Sequence, residues 1–185
     1  MGYRWGMPTR ACERLLQAAD DLFYAEGIRA VGVERLLAVS GVGRASFYRH
    51  FSGKEELVAA VLRRRDERWR AWLEEAVAKR GNDPLAVFDA LAEGAEAEDY
   101  RGCAFINAMV EITDPGSEVH RLAAEHKRAV NAFVDRLLAD AGHADHQALA
   151  DQFTLLMDGA IVIALRTHSG EPARRAKAIA ARLLS

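Results

Sequence analysis

The 185-residue chain has two cysteines, no alternating polar–apolar runs and no unbroken run of 18 apolar residues. Each absence excludes something. Cys12 and Cys103 lie far apart in apolar helical patterns, so neither a structural disulfide nor a cysteine-rich metal site is expected. Without two-residue periodicity there is no case for strands, and the expected fold class is all-α. No segment combines the charge, apolar stretch and cleavage site of a signal peptide, so the expectation is a soluble, cytoplasmic chain. There is no glycine-rich phosphate loop, no nucleophile elbow and no His-Glu-x-x-His, so neither an enzyme nor a cofactor is expected. His143, Asp145 and His146 have spacing that a metal could use, but Gly142-His143-Ala144-Asp145 reads better as a solvated turn. Asp114, Glu118 and His120 read as a loop and a helix cap. No internal repeat and no low-complexity tract is visible.

What is present is helix, about nine segments of it. The pattern predicts helices near 9–26, 33–39, 44–50, 54–80, 84–98, 102–113, 116–141, 145–169 and 171–184. Thr9 can cap the first and Gly27 lies just past its end. Glu55-Glu56 suit the positive end of the fourth helix. Pro84 takes a permitted first-turn position in the fifth. In the fourth, Leu57, Val61, Trp69, Trp72, Leu73 and Val77 recur at roughly helical spacing, with Trp69 and Trp72 read as core and domain-interface anchors. Arg63-Arg64-Arg65 lie between them. They are far from any groove-entering segment, and a solvated face with packed stems is the favoured reading over phosphate contact.

Half the residues are apolar, enough for a sizeable core in one or two small domains. The net charge of −2 is unevenly spread. Residues 1–80 hold 15 Lys and Arg against 11 Asp and Glu, a net of +4; residues 81–185 hold 10 against 16, a net of −6. A basic front and an acidic back suit a nucleic-acid-reading head on a body that avoids it.

Residues 33–54, VERLLAVSGVGRASFYRHFSGK, carry the strongest signal. Val33, Leu36 and Leu37 face a core at helical spacing. Ser40-Gly41-Val42-Gly43 breaks the period, and one of its glycines can take the left-handed conformation that ends a helix. Arg44 to His50 restart a helix with Phe47 and Phe51 inward. Arg44, Ala45, Ser46, Tyr48, Arg49 and His50 are left outside. So short a helix cannot stand alone, and this outer face suits phosphates and base edges. Arg44 and Ser46 are the candidates for base edges; Tyr48, His50 and Lys54, and less directly Arg49, are the candidates for phosphates.

Residues 10–57 resemble the DNA-binding domain of the TetR family of bacterial transcriptional regulators. The resemblance rests on Leu16, Ala18-Ala19, Leu22-Phe23 and Glu26-Gly27; on Val33 with Leu36-Leu37; on Gly41-Val42; and on Phe47-Tyr48-Arg49-His50-Phe51 with Lys54-Glu55-Glu56-Leu57. Residues 101–130 more weakly resemble the middle of the ligand domain in one branch of that family. Three positions depart from its pattern. Gly32 stands where Ser or Thr usually caps the second helix, Gly43 stands where Ser usually follows the turn, and Ala45-Ser46 replaces a common Gly-Thr pair. They suggest fewer phosphate contacts or an unusual operator.

The resemblance implies a helix-turn-helix head, residues 1–53 with a mobile N-terminal arm, and a helical effector-binding and dimerisation body, residues 54–185. It implies an effector-responsive regulator, by expectation a repressor, that binds a palindromic operator as a homodimer and lets go when a small, mostly hydrophobic ligand binds. In the arm, Arg4 and Trp5 could follow a groove; the plainer reading is a disordered leader with Met7 as the natural start. Segment 145–169 is apolar nearly all round. Phe153, Leu156, Met157, Ala160, Ile161 and Ala164 can face its own core, while Leu155, Val162 and Ile163 need a second cover. The last helix, with Ala173, Ala176, Ile179, Ala180 and Leu183, can supply part of it, and Gly159 and Ala160 allow close approach. The family implies that these two helices pair with their copies across a two-fold axis, with Leu155, Val162, Ile163, Arg166, Ile179 and Leu183 at the interface.

The cavity, too, is implied by the resemblance. Its candidate lining residues are Phe88, Phe105, Met109, His126, Val130 and Met157, with Leu91, Val110, Ile112 and Phe133 nearby. His126 is the one polar residue on the stripe Val119, Leu122, Ala123, His126, Val130, Phe133, Leu137. Asn107 and Glu111 could orient a polar group. The alternative is a helical small-molecule carrier or sequestering protein whose head has lost specific DNA recognition, a reading that Gly32 and Gly43 keep open.

Overall fold

The computed structural model describes residues 10–185; Arg4, Trp5, Met7 and the proposed Thr9 cap lie outside the described residues. Among those described there are nine α-helices and no strand: α1 Arg10–Glu26, α2 Val33–Ser40, α3 Arg44–His50, α4 Lys54–Ala78, α5 Ala86–Gly94, α6 Ala104–Glu111, α7 Glu118–Asp140, α8 His146–Thr167 and α9 Glu171–Leu183.

The elements match the expected ones, and the clearest differences are at the ends of α5 and α6. The expected fifth helix, 84–98, shrinks to Ala86–Gly94. At its start the Asp83 carboxylate accepts the Leu85 amide (2.8 Å) and closes a turn ahead of the helix. Beyond its end lie Glu96, Glu98 and Asp99, and negative charge is unfavourable at a helix C-terminus. The sixth helix begins after Gly102, whose φ of +75° is not helical. It stops before Asp114-Pro115, where the proline disfavours helical backbone in the preceding residue.

The chain divides into two compact units. The first holds α1 to α3, the start of α4 up to Arg65, and residues 105–122. Its buried side chains include Leu15, Ala19, Val31, Leu36, Phe47, Phe51 and Leu57, each at most 1% exposed. The second holds residues 66–104 and 123–185. Its core joins Leu73, Val77, Phe88, Leu91, Val130, Val134, Leu138, Phe153, Met157 and Ile161 with the small Ala173, Ala176 and Ala180 of α9. Phe88 and Phe153 meet at 5.4 Å between centroids, a packed aromatic pair.

Within the second unit, α8 packs on α9 and α5. It is long and apolar enough to cross a membrane by length and composition. Its stripe of Ala150, Phe153, Met157, Ala160, Ile161 and Ala164 is nevertheless buried against its own unit, as expected of a core helix. Leu156, placed in that stripe from sequence, is only half-buried. Gly170 opens α9 where only a glycine fits. A Cβ there would lie 2.5 Å from the Ala92 carbonyl oxygen.

Candidate nucleic-acid interface

α2 ends at Gly41, whose φ of +63° is the left-handed conformation foreseen for one of the turn glycines. Gly43, at φ −70°, is the N-cap of α3 and offers no side chain; Gly32 caps α2 in the same bare way. The Ser40 hydroxyl ties the turn, donating to the Leu37 carbonyl (3.4 Å) and accepting the Val42 amide (3.3 Å). Phe47 and Phe51 anchor α3, and Tyr48 stands edge-on to Phe47 at 5.0 Å. The outer face therefore exposes Arg44, Ala45, Tyr48 and Arg49, with Ser46 and His50 half-buried. Lys54, half-buried at the first turn of α4, has its pKa lowered by burial, against which the negative charge of Glu111 acts. Arg44 is not loose. It pairs with Glu34 of α2.

Behind this face the unit is braced by charge. Arg63 pairs with Glu118, Arg64 with Glu13 at 2.6 Å, and Arg65 with the buried Asp20 at 2.7 Å. The Arg65 guanidinium also lies 4.0 Å from the Tyr24 ring centroid. The three consecutive arginines thus hold α4 to α1 and to the start of α7. The favoured sequence reading of a solvated face is replaced by one of ion pairs. Glu111, expected to orient a polar group, instead accepts the backbone amides of Ile28 (2.9 Å) and Arg29 (2.7 Å).

The candidate ligand residues are divided. Phe105, buried, and Met109, half-buried, belong to the first unit; Phe88, His126, Val130 and Met157 belong to the second. Phe88, Val130 and Met157 are core residues there. His126 is 4% exposed; its Nδ1 lies 2.7 Å from Asp66 and its ring is edge-on to Trp69 at 5.2 Å. Since a carboxylate only accepts, Nδ1 carries the proton. Burial pushes the His126 pKa down, with Asp66 opposing. Trp72, expected as an anchor, is 38% exposed, its ring edge over Gly94. His146 bonds Asp135 (2.6 Å), Asp114 closes a turn on the Gly116 amide (2.9 Å), and no cluster of metal-ligating side chains occurs among the described residues.

The candidate interface residues Leu155 (75% exposed), Val162, Ile163, Ile179 and Leu183 are all open, as is Arg166. Gly159, between them on α8, has open space where a Cβ would sit.

The pattern of bacterial regulatory proteins of the tetR family matches residues 15–61. A TetR-family transcriptional regulator from Streptomyces coelicolor has a solved structure that is 34% identical, with a TM-score of 0.84 over 94% of this chain and 95% of that one. The chain belongs to the TetR family of transcriptional regulators. An HTH-type transcriptional regulator of Escherichia coli K12 is 26% identical over 80% of each chain. One from Lactococcus lactis is 26% identical over 55% of this chain and 54% of its own length. Family membership makes this chain a transcriptional regulator rather than an enzyme, all-helical with an N-terminal helix-turn-helix.

In this TetR-family regulator, sequence reasoning missed Glu34 and the partners of the arginine triplet, and gave Glu111 a different role from the one it has. Glu34 and Arg44 are ten positions apart across a turn whose glycines were legible, so that pair was within reach. Glu111 meets a turn more than 80 positions earlier, and no local period reports such a contact.

Proposed function

We propose that this TetR-family regulator is a cytoplasmic, homodimeric repressor that binds a palindromic operator and releases it when a small, mostly hydrophobic effector binds. The observation that carries the reading is α3. Seven residues long, it is pinned by Phe47 and Phe51 and turns Arg44, Tyr48 and Arg49 to solvent. Arg44 and Ser46 then meet base edges in the major groove. Tyr48, His50 and Lys54, with Arg49, meet phosphates. Residues 1–53 form the reading head and 54–185 the effector and dimer body.

The open row of Leu155, Val162, Ile163, Ile179 and Leu183, flanked by Arg166, supports dimerisation through α8 and α9, because apolar side chains so arrayed gain by being covered. Two heads then address half-sites roughly 34–36 Å apart or a multiple of that. Within the second unit, Phe88, His126, Val130 and Met157 are the candidate effector contacts, with His126 and its Asp66 partner as the polar fixture. Effector and operator oppose each other by a coupling of about 1–3 kcal/mol.

The test is selection of bound sequences from a random duplex pool, with the protein's mass in solution measured alongside. A palindrome bound by a dimer is expected. Arg44→Ala and Tyr48→Ala should each weaken its binding by about 1–3 kcal/mol. No enrichment at low salt would overturn the reading in favour of a helical carrier.

A further inference from the structure

One carboxylate in the first unit comes from outside the helices that read. Glu111 is the last residue of α6, and its two oxygens accept consecutive backbone amides, Ile28 on Oε1 and Arg29 on Oε2. Those amides lie in the turn between α1 and α2. The turn opens at Gly27, with φ at +90°, and a Cβ there would lie 3.2 Å from the Glu111 Oε2. A side chain at 27 would be strained by that φ and would push on the carboxylate.

Glu111 is itself held. The Ile112 amide closes on the Ala108 carbonyl (2.8 Å), and the Ile112 carbonyl accepts the His120 Nε2–H (2.7 Å). Glu118, at the start of α7, pairs with Arg63 and Arg121. A polar chain thus runs from α4 through α7 and α6 to the turn that leads into α2. All of it lies in one compact unit.

We propose that Glu111 is a positioning residue for DNA binding. Resting on the regulator reading above, the proposal is that Glu111 touches no DNA but fixes the α1–α2 turn, and so the entry of α2 and the seating of α3. The chemistry requires a carboxylate of this length. Charge-assisted bonds to two amides need two acceptor oxygens. A carboxamide keeps one acceptor and sets N–H against N–H at the other. Aspartate keeps the charge and falls one methylene short.

The experiment uses the full chain as wild type, Glu111→Gln and Glu111→Asp. Backbone hydrogen exchange reads Ile28 and Arg29 without DNA. Affinity for the duplex enriched by the wild type is then measured across salt concentrations, well below each protein's unfolding temperature. The expected result is faster exchange at 28 and 29 in both variants and roughly tenfold weaker binding, in keeping with the loss of hydrogen bonds to a charged group. The log–log salt lines should stay parallel, since no phosphate contact is removed. A merely structural role would lower the unfolding temperature and leave the folded protein's affinity alone. Unchanged exchange, affinity within twofold of wild type, or a flatter salt slope overturns the proposal. Should the Gln variant fail to fold, the Asp variant carries both readouts. If the wild type enriches no duplex, the regulator reading fails and the positioning role with it, while the exchange data still show whether the clamp exists.

Discussion

Each unit of this regulator combines an apolar core with ion pairs, but in different proportion and placement. The first is laced by charge: three consecutive arginines on α4 meet Glu118, Glu13 and Asp20, and Glu111 grips two backbone amides. The second packs around Phe88, Phe153 and Met157, with alanines of α9 filling the close spaces, and adds partly exposed ion pairs of its own, Arg80 with Glu93, Lys127 with Asp158 and Lys177 with Asp89. Their surfaces differ accordingly. The first unit turns Arg44, Tyr48 and Arg49 outward from α3, while the second leaves Leu155, Val162, Ile163, Ile179 and Leu183 bare. In the first unit, carboxylates from α1, α6 and α7 reach arginines of α4 and backbone amides beside the apolar core. The larger unit can spend side chains on a core and still offer an apolar face.

The sharpest way to break the comparison is to remove one core ring. Phe153→Ala deletes a fully buried side chain in contact with Phe88 and should cost about 3–5 kcal/mol in denaturant unfolding. That loss should be nearly the same at low and high salt, because dispersion and apolar burial are not screened. A loss below about 1 kcal/mol would mean that the second unit repacks freely. Next in size is Arg65→Ala. It strips the buried Asp20 of its guanidinium and Tyr24 of its stacked cation, and should cost about 2 kcal/mol. Here salt should matter. The difference between wild type and variant should shrink as ionic strength rises, since the guanidinium is partly open to solvent. A salt-independent difference would place Arg65 among packing residues and blur the distinction between the units.

The same distinction explains which parts of the molecule were legible in sequence. Helix α3, with Phe47 and Phe51 inward and arginines outward, is a local pattern, and Gly41 marks its turn. So is the buried stripe of α8. Local periodicity also separated the bare Leu155, Val162 and Ile163 from their buried neighbours. The bracing of the first unit was not legible. Glu111 with Ile28, and Arg63 with Glu118, join residues 83 and 55 positions apart. A charged residue on a helix surface looks the same in sequence whether it faces water or a distant partner. The ends of α5 and α6 fell between these cases. The pattern put Gly102 inside the sixth helix, where its φ of +75° does not belong, and the exact ends depended on turns that side chains such as Asp83 close.

The smallest expected effect probes the buried histidine of the second unit. Asp66 accepts bonds from Arg70 (2.8 Å) and from His126 (2.7 Å), and His126 is buried against Trp69. Burial holds the His126 pKa below its ordinary value of 6.5, and Asp66 offsets only part of that. For Asp66, burial raises the pKa, but its bonds to Arg70 and His126 outweigh it and the carboxyl sits below its ordinary 3.8. Both shifts have the same sign for stability. In each case the unfolded chain takes up a proton at a higher pH than the folded one does. The His126 contribution is fully present above about pH 6.5 and is lost as pH falls toward the depressed folded value. The Asp66 contribution is lost only below about pH 4. Denaturant unfolding between pH 7 and 5 should therefore show wild-type stability falling with acid. His126→Gln, which retains an N–H donor but does not titrate, should be less stable at pH 7 and lose less on acidification. Identical slopes for the two proteins would show that His126 charges without leaving its place. The Asp66–Arg70–His126 group would then behave like the ion pairs of the first unit rather than as a polar inclusion in an apolar core.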